Sequence, residues 1–231
     1  MGLRNIYTLN LREGLGSSDF FKVLSCLPEE KRIKIKRFVR KEDAQRALAA
    51  ELLIRQVIKN ELQLNGQNIK LGNNKYGKPF LLNNKDFHFN VSHSGAWVVC
   101  ATGSSPVGID IELIKPIDSN VAKLVKFTFS EEEYQLFQRD KSHCFFDLWT
   151  LKESYIKAVG LGLSIPLNSF TINFVRDHNI SIKVGDKVLK SCFLRQYNID
   201  KGYKIAACSF ENEFPESVTM LDLKQCIKTN I

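Results

Sequence analysis

The sequence predicts an α+β fold of two similar halves related by a pseudo-two-fold axis, each with a small, mostly antiparallel sheet packed against a long helix. Three observations support this prediction. A long amphipathic helix fits 41–62, and short apolar-polar segments separated by turns follow it. A Lys-Glu-x-x-x-basic pattern occurs on two predicted helices, at Lys41–Arg46 and again at Lys152–Lys157. A repeated pattern of this kind is typical of two related units.

Each copy of the pattern is followed later by an apolar strand that holds a cysteine, Trp97–Ala101 in one case and Lys204–Ser209 in the other. We place the join between the halves near Gly103–Pro106. The predicted units are therefore an N-terminal half, 1–103, and a C-terminal half, 104–231, with an active cleft between them.

The helices can be placed from their end signals. Pro28 opens a short basic helical segment, and Glu42 and Asp43 lie in the first turn of the long helix, where carboxylates suit the helix dipole. We expect Gly66 to end that helix. Further along, a polar helical stretch begins at Ser130, and a helix around Trp149 is stopped by Gly160 and Gly162.

The strands are predicted from alternating or continuous apolar runs bounded by turn residues. A hairpin with a Ser-His-Ser-Gly turn is followed by an acidic strand, and four more strands complete the C-terminal half. The predicted strands are 87–92, 96–102, 107–112, 169–175, 180–184, 188–197 and 203–210.

Length and composition exclude several classes of protein. With 231 residues, 44% of them hydrophobic and 25% charged, the chain can bury a core and is not disordered. It has no run of about 18 apolar residues and no charged-then-apolar leader, so we expect a soluble cytoplasmic protein without a membrane contact. Its six cysteines show no close pair and no metal-ligand spacing, and we expect reduced core residues.

The acidic strand and the Trp149 helix carry the residues with the clearest chemistry. In an extended chain, Asp110 and Glu112 share one face of the strand, opposite its apolar residues. Glu153 and Lys157 are four residues apart on the helix and share one of its sides. Three carboxylates suit a hard cation such as Mg²⁺, which prefers oxygen ligands together with substrate phosphates, and the lysine would face the phosphates.

The Ser-His-Ser-Gly turn places His93 at the end of its strand. A catalytic Ser–His pair is not favoured, because the adjacent Ser92 and His93 cannot easily face each other and the chain has no Gly-x-Ser-x-Gly elbow. A solvated turn histidine is the alternative interpretation. Gly72–Lys78 matches the start of a phosphate-binding P-loop, but Pro79 stands where a Ser or Thr would bind magnesium.

The net charge of +8 is partly concentrated between Pro28 and the long helix. Such a run fits a nucleic-acid patch, a solvated helix face or a phosphate clamp. Aromatic residues are not interleaved with it as stacking platforms for nucleic acid would be. The basic residues are Lys31, Arg32, Lys34, Lys36, Arg37, Arg40 and Lys41.

Three motifs in this order resemble the signatures of the Sfp-type 4'-phosphopantetheinyl transferases. They are Phe-Asn-Val-Ser-His-Ser-Gly from Phe89, Gly-Ile-Asp-Ile-Glu from Gly108, and Trp-Thr-Leu-Lys-Glu-Ser-Tyr-Ile-Lys from Trp149. Shorter matches, among them Glu-Lys-Arg from Glu30 and Tyr-Gly-Lys-Pro from Tyr76, extend the resemblance to most of the chain. It is weakest in the first 25 residues, around Phe127–Phe129 and beyond Phe210.

The resemblance implies transfer of 4'-phosphopantetheine from coenzyme A to a serine of a peptidyl or acyl carrier protein domain. It implies a magnesium ion held by Asp110, Glu112 and Glu153, with Glu153 also a candidate base. Lys157 would stabilise charge on the diphosphate, and His93 would hold a terminal phosphate. The remaining coenzyme A contacts would come from Lys31, Lys34, Arg37, Lys78, Pro79 and Ser92.

The resembling enzymes of half this length build the cleft between subunits, so this chain is expected to work as a monomer. The natural carrier would belong to a nonribosomal peptide synthetase or a related system, and its docking surface is predicted at Leu113–Phe129, where lysines mix with apolar residues. Two other function classes fit the residues: a basic nucleic-acid-binding module, and a magnesium-dependent hydrolase or nucleotidyl enzyme using the same three acids.

Overall fold

The computed structural model describes residues 2–64, 66–174 and 180–230, and it confirms the α+β fold. Helices and small antiparallel sheets alternate along the chain. The elements are β1 (Leu3–Asn10), α1 (Ser17–Ser25), α2 (Glu29–Lys36), α3 (Lys41–Leu62), β2 (Leu71–Asn73), β3 (Pro79–Leu81), β4 (His88–Ser94), β5 (Trp97–Gly103), β6 (Val107–Leu113), α4 (Ser119–Thr128), α5 (Glu131–Arg139), α6 (Lys141–Val159), β7 (Thr171–Phe174), β8 (Ile180–Val184), β9 (Lys187–Val188), β10 (Phe193–Tyr197), β11 (Tyr203–Ser209), β12 (Thr219–Met220) and α7 (Leu223–Asn230).

The first sheet has the order β12-β1-β5-β4, and its pairs are antiparallel except that of β12 with β1. Helix α3 packs on one face of this sheet. Leu48 and Leu52, one turn apart on α3, are buried in the same apolar cluster as Phe89, Val98 and Cys100 of the sheet. The amphipathic pattern of α3 therefore builds the core of the first layer pair.

The second sheet has the order β10-β11-β6 and is antiparallel throughout. Helix α6 packs on it, and a further three-stranded sheet, β7-β8-β9, lies beside α5 and α6. Three aromatic rings fill the space under α4, α5 and α6. Phe129 lies with its ring centroid 6.2 Å from that of Phe137 and 5.9 Å from that of Phe145. Each half thus pairs a small sheet with a long helix.

The two sheets share an apolar cluster on their remaining faces. Val99 and Ala101 of β5 are fully buried there with Ile109, Ile111 and Ile205 of the second sheet. The alternation along β6 explains this cluster, because its isoleucines point to one face and its carboxylates to the other.

Strands β4 and β6 lie side by side and are bridged by side chains. The Asn90 Oδ1 accepts the Ile109 N–H at 2.9 Å, and the Ser92 hydroxyl donates to Asp110 at 2.8 Å. The Ser94 hydroxyl donates to Glu112 at 2.8 Å. We call this row of contacts the polar seam; it joins the first sheet to the second along alternate residues of β4.

A buried ion pair fixes α6 against α5 and the loop after α6. The Lys152 ammonium lies 2.8 Å from a Glu133 carboxylate oxygen, and both side chains are fully buried. Lys152 also donates to the carbonyls of Leu167 and Phe170, while Glu133 accepts the N–H of Ile172. These contacts satisfy the charges that burial would otherwise make costly.

The end of the chain returns to the first sheet. Strand β12 pairs with β1, and α7 packs against α3, where the Lys59 ammonium donates to the Thr229 carbonyl at 2.8 Å. Residues of the predicted C-terminal half therefore add to the layer built by 1–103. The division into 1–103 and 104–231 stays a prediction.

Some boundaries differ from those predicted. Gln63, not Gly66, ends α3, since Gln63 takes the left-handed conformation with φ of 55° and bonds the Lys59 carbonyl. The predicted strand 188–197 is split, because Lys190 and Ser191 form a turn between β9 and β10. The predicted strand 169–175 is β7, whose last predicted residue lies outside the described ranges. The sequence analysis did not find β1, α1, β2, β3, α4, β12 or α7.

One expectation about the cysteines is corrected. Cys26 is exposed rather than a core residue. Cys192 and Cys208 form a close pair, with 3.4 Å between their sulfur atoms, although sixteen residues separate them, because antiparallel pairing of β10 and β11 brings them together. None of the helices in the described part of the chain combines the length and apolarity needed to cross a membrane.

Candidate active site

Close contact between α6 and β6 brings the candidate catalytic residues together. A Cβ on Gly108 would lie only 1.9 Å from the Ser154 carbonyl oxygen and 2.4 Å from the Ala158 nitrogen. Only glycine lets the helix backbone rest this close to the strand. The glycine of the Gly-Ile-Asp-Ile-Glu motif therefore positions Glu153 and Lys157 over the acidic face of β6.

Asp110, Ser92 and Lys157 form a compact polar cluster. The Lys157 ammonium lies 2.5 Å from Asp110 Oδ1 and donates to the Ser92 hydroxyl at 3.0 Å. Ser92 in turn donates to the same carboxylate oxygen at 2.8 Å. Asp110 is only 3% exposed, so its charge depends on these partners. The structure thus brings together three of the predicted site residues from β4, β6 and α6.

Burial and the charge of Asp110 act on the other two predicted metal ligands, Glu112 and Glu153. Burial, followed by the charge of Asp110, raises the pKa of Glu112. Burial also raises the pKa of Glu153, with Asp110 adding to the rise and Lys157 opposing it. The other oxygen of Asp110, Oδ2, is buried without a hydrogen-bond partner among the described residues. An orphaned carboxylate oxygen beside two acids with raised pKa values fits a hard cation.

The described residues contain no group of three or more His, Cys, Asp or Glu side chains already arranged around a metal position. In this arrangement Lys157, rather than a metal ion, neutralises Asp110. The magnesium assignment to Asp110, Glu112 and Glu153 therefore stays a prediction.

His93 lies at the exposed end of β4, beside charges of both halves. Partial burial lowers its pKa, and the positive charges of Arg46 and Lys157 lower it further. Arg46 lies on α3, pairs with Asp43 and donates to the Gly95 carbonyl at 3.1 Å. Sequence analysis noted Arg46 only as part of the repeated Lys-Glu-x-x-x-basic pattern. The two cationic groups beside His93, Arg46 and Lys157, would favour a bound anion.

The basic helix α2 presents its candidate phosphate ligands unequally. Lys34 and Arg37 are exposed. The Lys31 ammonium is instead bound to the Glu51 carboxylate on α3, at 2.5 Å. The second oxygen of Glu51 is buried without a partner in the described part of the chain. Lys31 is therefore already neutralised, whereas Lys34 and Arg37 face solvent.

Lys78 is half-buried, and its ammonium group is bound by backbone carbonyls. Its ammonium donates to the carbonyls of Val107, Lys157 and Ala158 at 3.0, 2.6 and 3.1 Å. Burial lowers its pKa to about 8. A salt-bridge contact to coenzyme A would require these bonds to break, so its place in substrate binding stays a prediction.

The segment that matched the start of a P-loop is a hairpin. Gly72 pairs with Phe80 across β2 and β3, and Gly77 takes a φ of 88° in the turn. Lys78 and Pro79 then line a cleft of about 280 Å³ that also holds Glu153 and Lys157. The lysine and proline motif therefore borders the acidic site without forming a P-loop.

A larger cavity of about 940 Å³ lies beside β10, lined by Asp147, Arg195, Lys204 and Glu213 among others. None of the site residues predicted from the sequence lines it. The chemistry described above therefore lies around β4, β6 and α6, away from this cavity.

Two family models match successive parts of the chain. Residues 16–105 match "4'-phosphopantetheinyl transferase, N-terminal", and residues 106–208 match the "4'-phosphopantetheinyl transferase superfamily". The 4'-phosphopantetheinyl transferase Sfp of Bacillus subtilis (strain 168) is 41% identical over 226 residues, which span 96% of this chain and 99% of that protein. The transferase gsp of Aneurinibacillus migulanus is 40% identical over 206 residues, covering 87% of this chain and 84% of that one.

The raised carboxyl pKa values give a prediction about stability. A carboxyl with a raised pKa in the folded protein costs nothing below its unfolded pKa and destabilises the fold as pH rises through its folded pKa. Glu153→Gln should therefore raise the urea midpoint of the metal-free protein at about pH 8, with no difference at about pH 4. Glu29→Gln, at an exposed site on α2, is the control. A gain of equal size at both pH values would contradict the assignment.

Proposed function

The chain belongs to the 4'-phosphopantetheinyl transferase superfamily, and we propose that it transfers the 4'-phosphopantetheine group of coenzyme A to a serine of a peptidyl or acyl carrier domain. The reaction would depend on magnesium, release adenosine 3',5'-bisphosphate, and activate a nonribosomal peptide synthetase or a related system. The observation that carries this proposal is the unpartnered Asp110 oxygen beside Glu112, Glu153 and Lys157.

Asp110, Glu112 and Glu153 are the residues that would hold Mg²⁺. When bound, the ion would neutralise charge on the diphosphate of coenzyme A. Burial and, to a smaller extent, the charge of Asp110 raise the pKa values of Glu112 and Glu153, and a bound cation would oppose both effects.

The remaining roles in the reaction are assigned to Glu153 and Lys157 from their positions. Glu153 lies in the cleft and its pKa is raised, so it suits a base that accepts the proton of the carrier serine. The serine oxygen then bonds to the phosphorus that bears pantetheine, and the bond from that phosphorus to the bridging oxygen breaks. Lys157, released from Asp110, would stabilise the negative charge on the leaving phosphate.

The terminal phosphates of coenzyme A would be held by His93 together with the neighbouring Arg46 and by the basic helix α2. The positive charges of Arg46 and Lys157 around His93 favour an anion there. On α2, Lys34 and Arg37 are exposed and available, and Lys31 would bind only by leaving Glu51.

The polar seam supports the proposal of a monomeric enzyme. Ser92 and Ser94 of β4 contact Asp110 and Glu112 of β6, so one chain supplies both walls of the site. A second subunit is not needed to complete the cleft.

The carrier domain would dock on helix α4. Phe127 is 75% exposed and Leu124 is 39% exposed, with the exposed Lys123 and Lys126 beside them in sequence. Val125, in contrast, is fully buried. We propose that the docking surface, consisting of Lys123, Leu124, Lys126 and Phe127, binds an acidic and partly apolar helix of the carrier.

The central test is the mass of a carrier protein incubated with enzyme, coenzyme A and magnesium. We expect wild type to add one phosphopantetheine group, and Asp110→Ala and Glu112→Ala to lose roughly 10²-fold or more in rate while staying folded. Asp186→Ala, at an exposed turn, should match wild type. Near wild-type turnover of either variant at saturating magnesium would contradict the metal assignment. Free phosphopantetheine released without a carrier would indicate a hydrolase.

Lys34 is exposed whereas Lys31 is paired with Glu51, so substitutions of the two lysines should have different effects. Lys34→Ala should weaken coenzyme A more than its 3'-dephospho form, by about 1.5–3 kcal/mol for one lost charge-assisted contact. Lys31→Ala should also destabilise the fold, because it leaves the buried Glu51 without its cation. The double variant Lys31→Met with Glu51→Gln removes both charges. Comparing Lys31→Ala with this double variant separates the loss of stability from the loss of phosphate binding. If Lys34→Ala weakens the binding of coenzyme A and of its 3'-dephospho form equally, the 3'-phosphate is bound by other residues.

The docking surface is tested by one exposed and one buried residue of α4. Phe127→Ala should raise the Michaelis constant for carrier and leave coenzyme A binding unchanged, and the association rate should fall with salt. Val125→Ala is the matched control and should lower stability through a core cavity. Unfolding of Phe127→Ala, or equal losses for carrier and coenzyme A, would place the dock on another face.

A further inference from the structure

The turn between β4 and β5 is held by a tyrosine of the second sheet. The Tyr203 hydroxyl accepts the Ala96 N–H at 2.8 Å. Gly95 takes a φ of 55°, and a Cβ on it would lie 2.2 Å from the same hydroxyl oxygen. Glycine is therefore required at this position for two reasons: the backbone is left-handed, and Tyr203 leaves no room for a side chain.

Tyr203 is itself rigidly placed. It lies on β11, the central strand of its sheet, is only 8% exposed, and pairs with Leu113 of β6. Two further contacts hold the same turn: the Arg46 guanidinium donates to the Gly95 carbonyl at 3.1 Å, and the Trp97 indole donates to Asp200 at 3.3 Å. Hydrogen bonds thus hold the turn to α3 on one side and to the second sheet on the other.

These contacts form a closed circuit through the polar seam. Leu113, the ladder partner of Tyr203, donates its N–H to the Ser94 hydroxyl at 3.1 Å. Ser94 donates to Glu112, and the chain then passes through Gly95 to Ala96, which donates back to Tyr203. A shift at the Tyr203 hydroxyl would move the backbone that carries both Ser94 and the neighbouring His93.

We propose that Tyr203 is a positioning residue for coenzyme A binding. Its hydroxyl fixes the position of the β4–β5 turn relative to the second sheet. In that position His93 contacts the bound phosphate and Ser94 donates to the Glu112 carboxylate. This inference rests on the proposed function, in which His93 binds coenzyme A. Tyr203 acts through the turn and does not touch the substrate.

The test variant is Tyr203→Phe, which keeps the ring and removes the acceptor of the Ala96 N–H. The matched control is Tyr197→Phe on the neighbouring strand β10. The Tyr197 hydroxyl also bonds backbone, donating to the Pro215 carbonyl at 2.9 Å, and Tyr197 is 6% exposed. Both variants should lose similar stability, but only Tyr203→Phe loosens the turn.

We expect Tyr203→Phe to raise the Michaelis constant for coenzyme A about tenfold, the effect of one lost hydrogen bond, while that for the carrier stays unchanged. The Ala96 amide should exchange its hydrogen faster in the same variant. Tyr197→Phe should show neither effect. An equal rise in both variants, or a loss confined to kcat, would indicate a merely structural role and overturn the proposal.

The amide measurement separates this inference from the proposed function. An unchanged Ala96 exchange rate overturns the inference even where transfer is observed. Faster exchange with an unchanged constant for coenzyme A overturns it as well. Absence of transfer by wild type would refute the proposed function, and calorimetric binding of coenzyme A to wild type and Tyr203→Phe would still decide whether the turn positions the ligand.

A double-mutant cycle adds a check that needs no substrate. Gly95→Ala should destabilise wild type more than it destabilises Tyr203→Phe, because the hydroxyl it would meet at 2.2 Å is absent from the variant. Additive effects of the two substitutions would show that Tyr203 does not constrain the turn and would overturn the proposal.

Discussion

The buried carboxylate of Asp110 imposes the constraint that the rest of the site satisfies. A charge removed from water is costly unless it is paired, and Asp110 receives Lys157 from α6 and Ser92 from β4. Lys157 reaches it only because Gly108 lets α6 rest on β6. Helix packing, the glycine and the position of β4 all contribute to pairing this one carboxylate. Its second oxygen has no hydrogen-bond partner among the described residues, and this is the basis of the magnesium proposal.

The polar seam explains how one site can be built from two sheets. A backbone ladder would fix β4 to β6 at every residue, whereas the seam uses the side chains of Asn90, Ser92 and Ser94. The two serine hydroxyls bond Asp110 and Glu112, which are two of the carboxylates proposed to hold the metal. The two sheets also share a buried apolar cluster, but the acids contact β4 through a few directional hydrogen bonds, so small shifts at the seam change the geometry of the acids directly.

Sequence patterns were sufficient where local chemistry determines structure. The alternation of β6 predicted that Asp110 and Glu112 share a face, and the amphipathic pattern predicted a helix at 41–62, the observed bounds of α3. Contacts between distant segments could not be predicted this way. Lys78 resembles a solvated turn lysine until three carbonyls of the other half surround it, and Tyr203 has no local signal that it supports a turn far away in sequence.

The return of the chain to its first sheet has a consequence for synthesis in the cell. Strand β12 and α7 complete the layer built by β1 and α3, so residues 219–230 are needed by a unit whose other members are made first. On the ribosome, the edge of β1 remains unpaired while the second half is translated and folded. An open strand edge is a site for wrong pairing with another nascent chain. The order of translation thus makes the first half the later one to be finished.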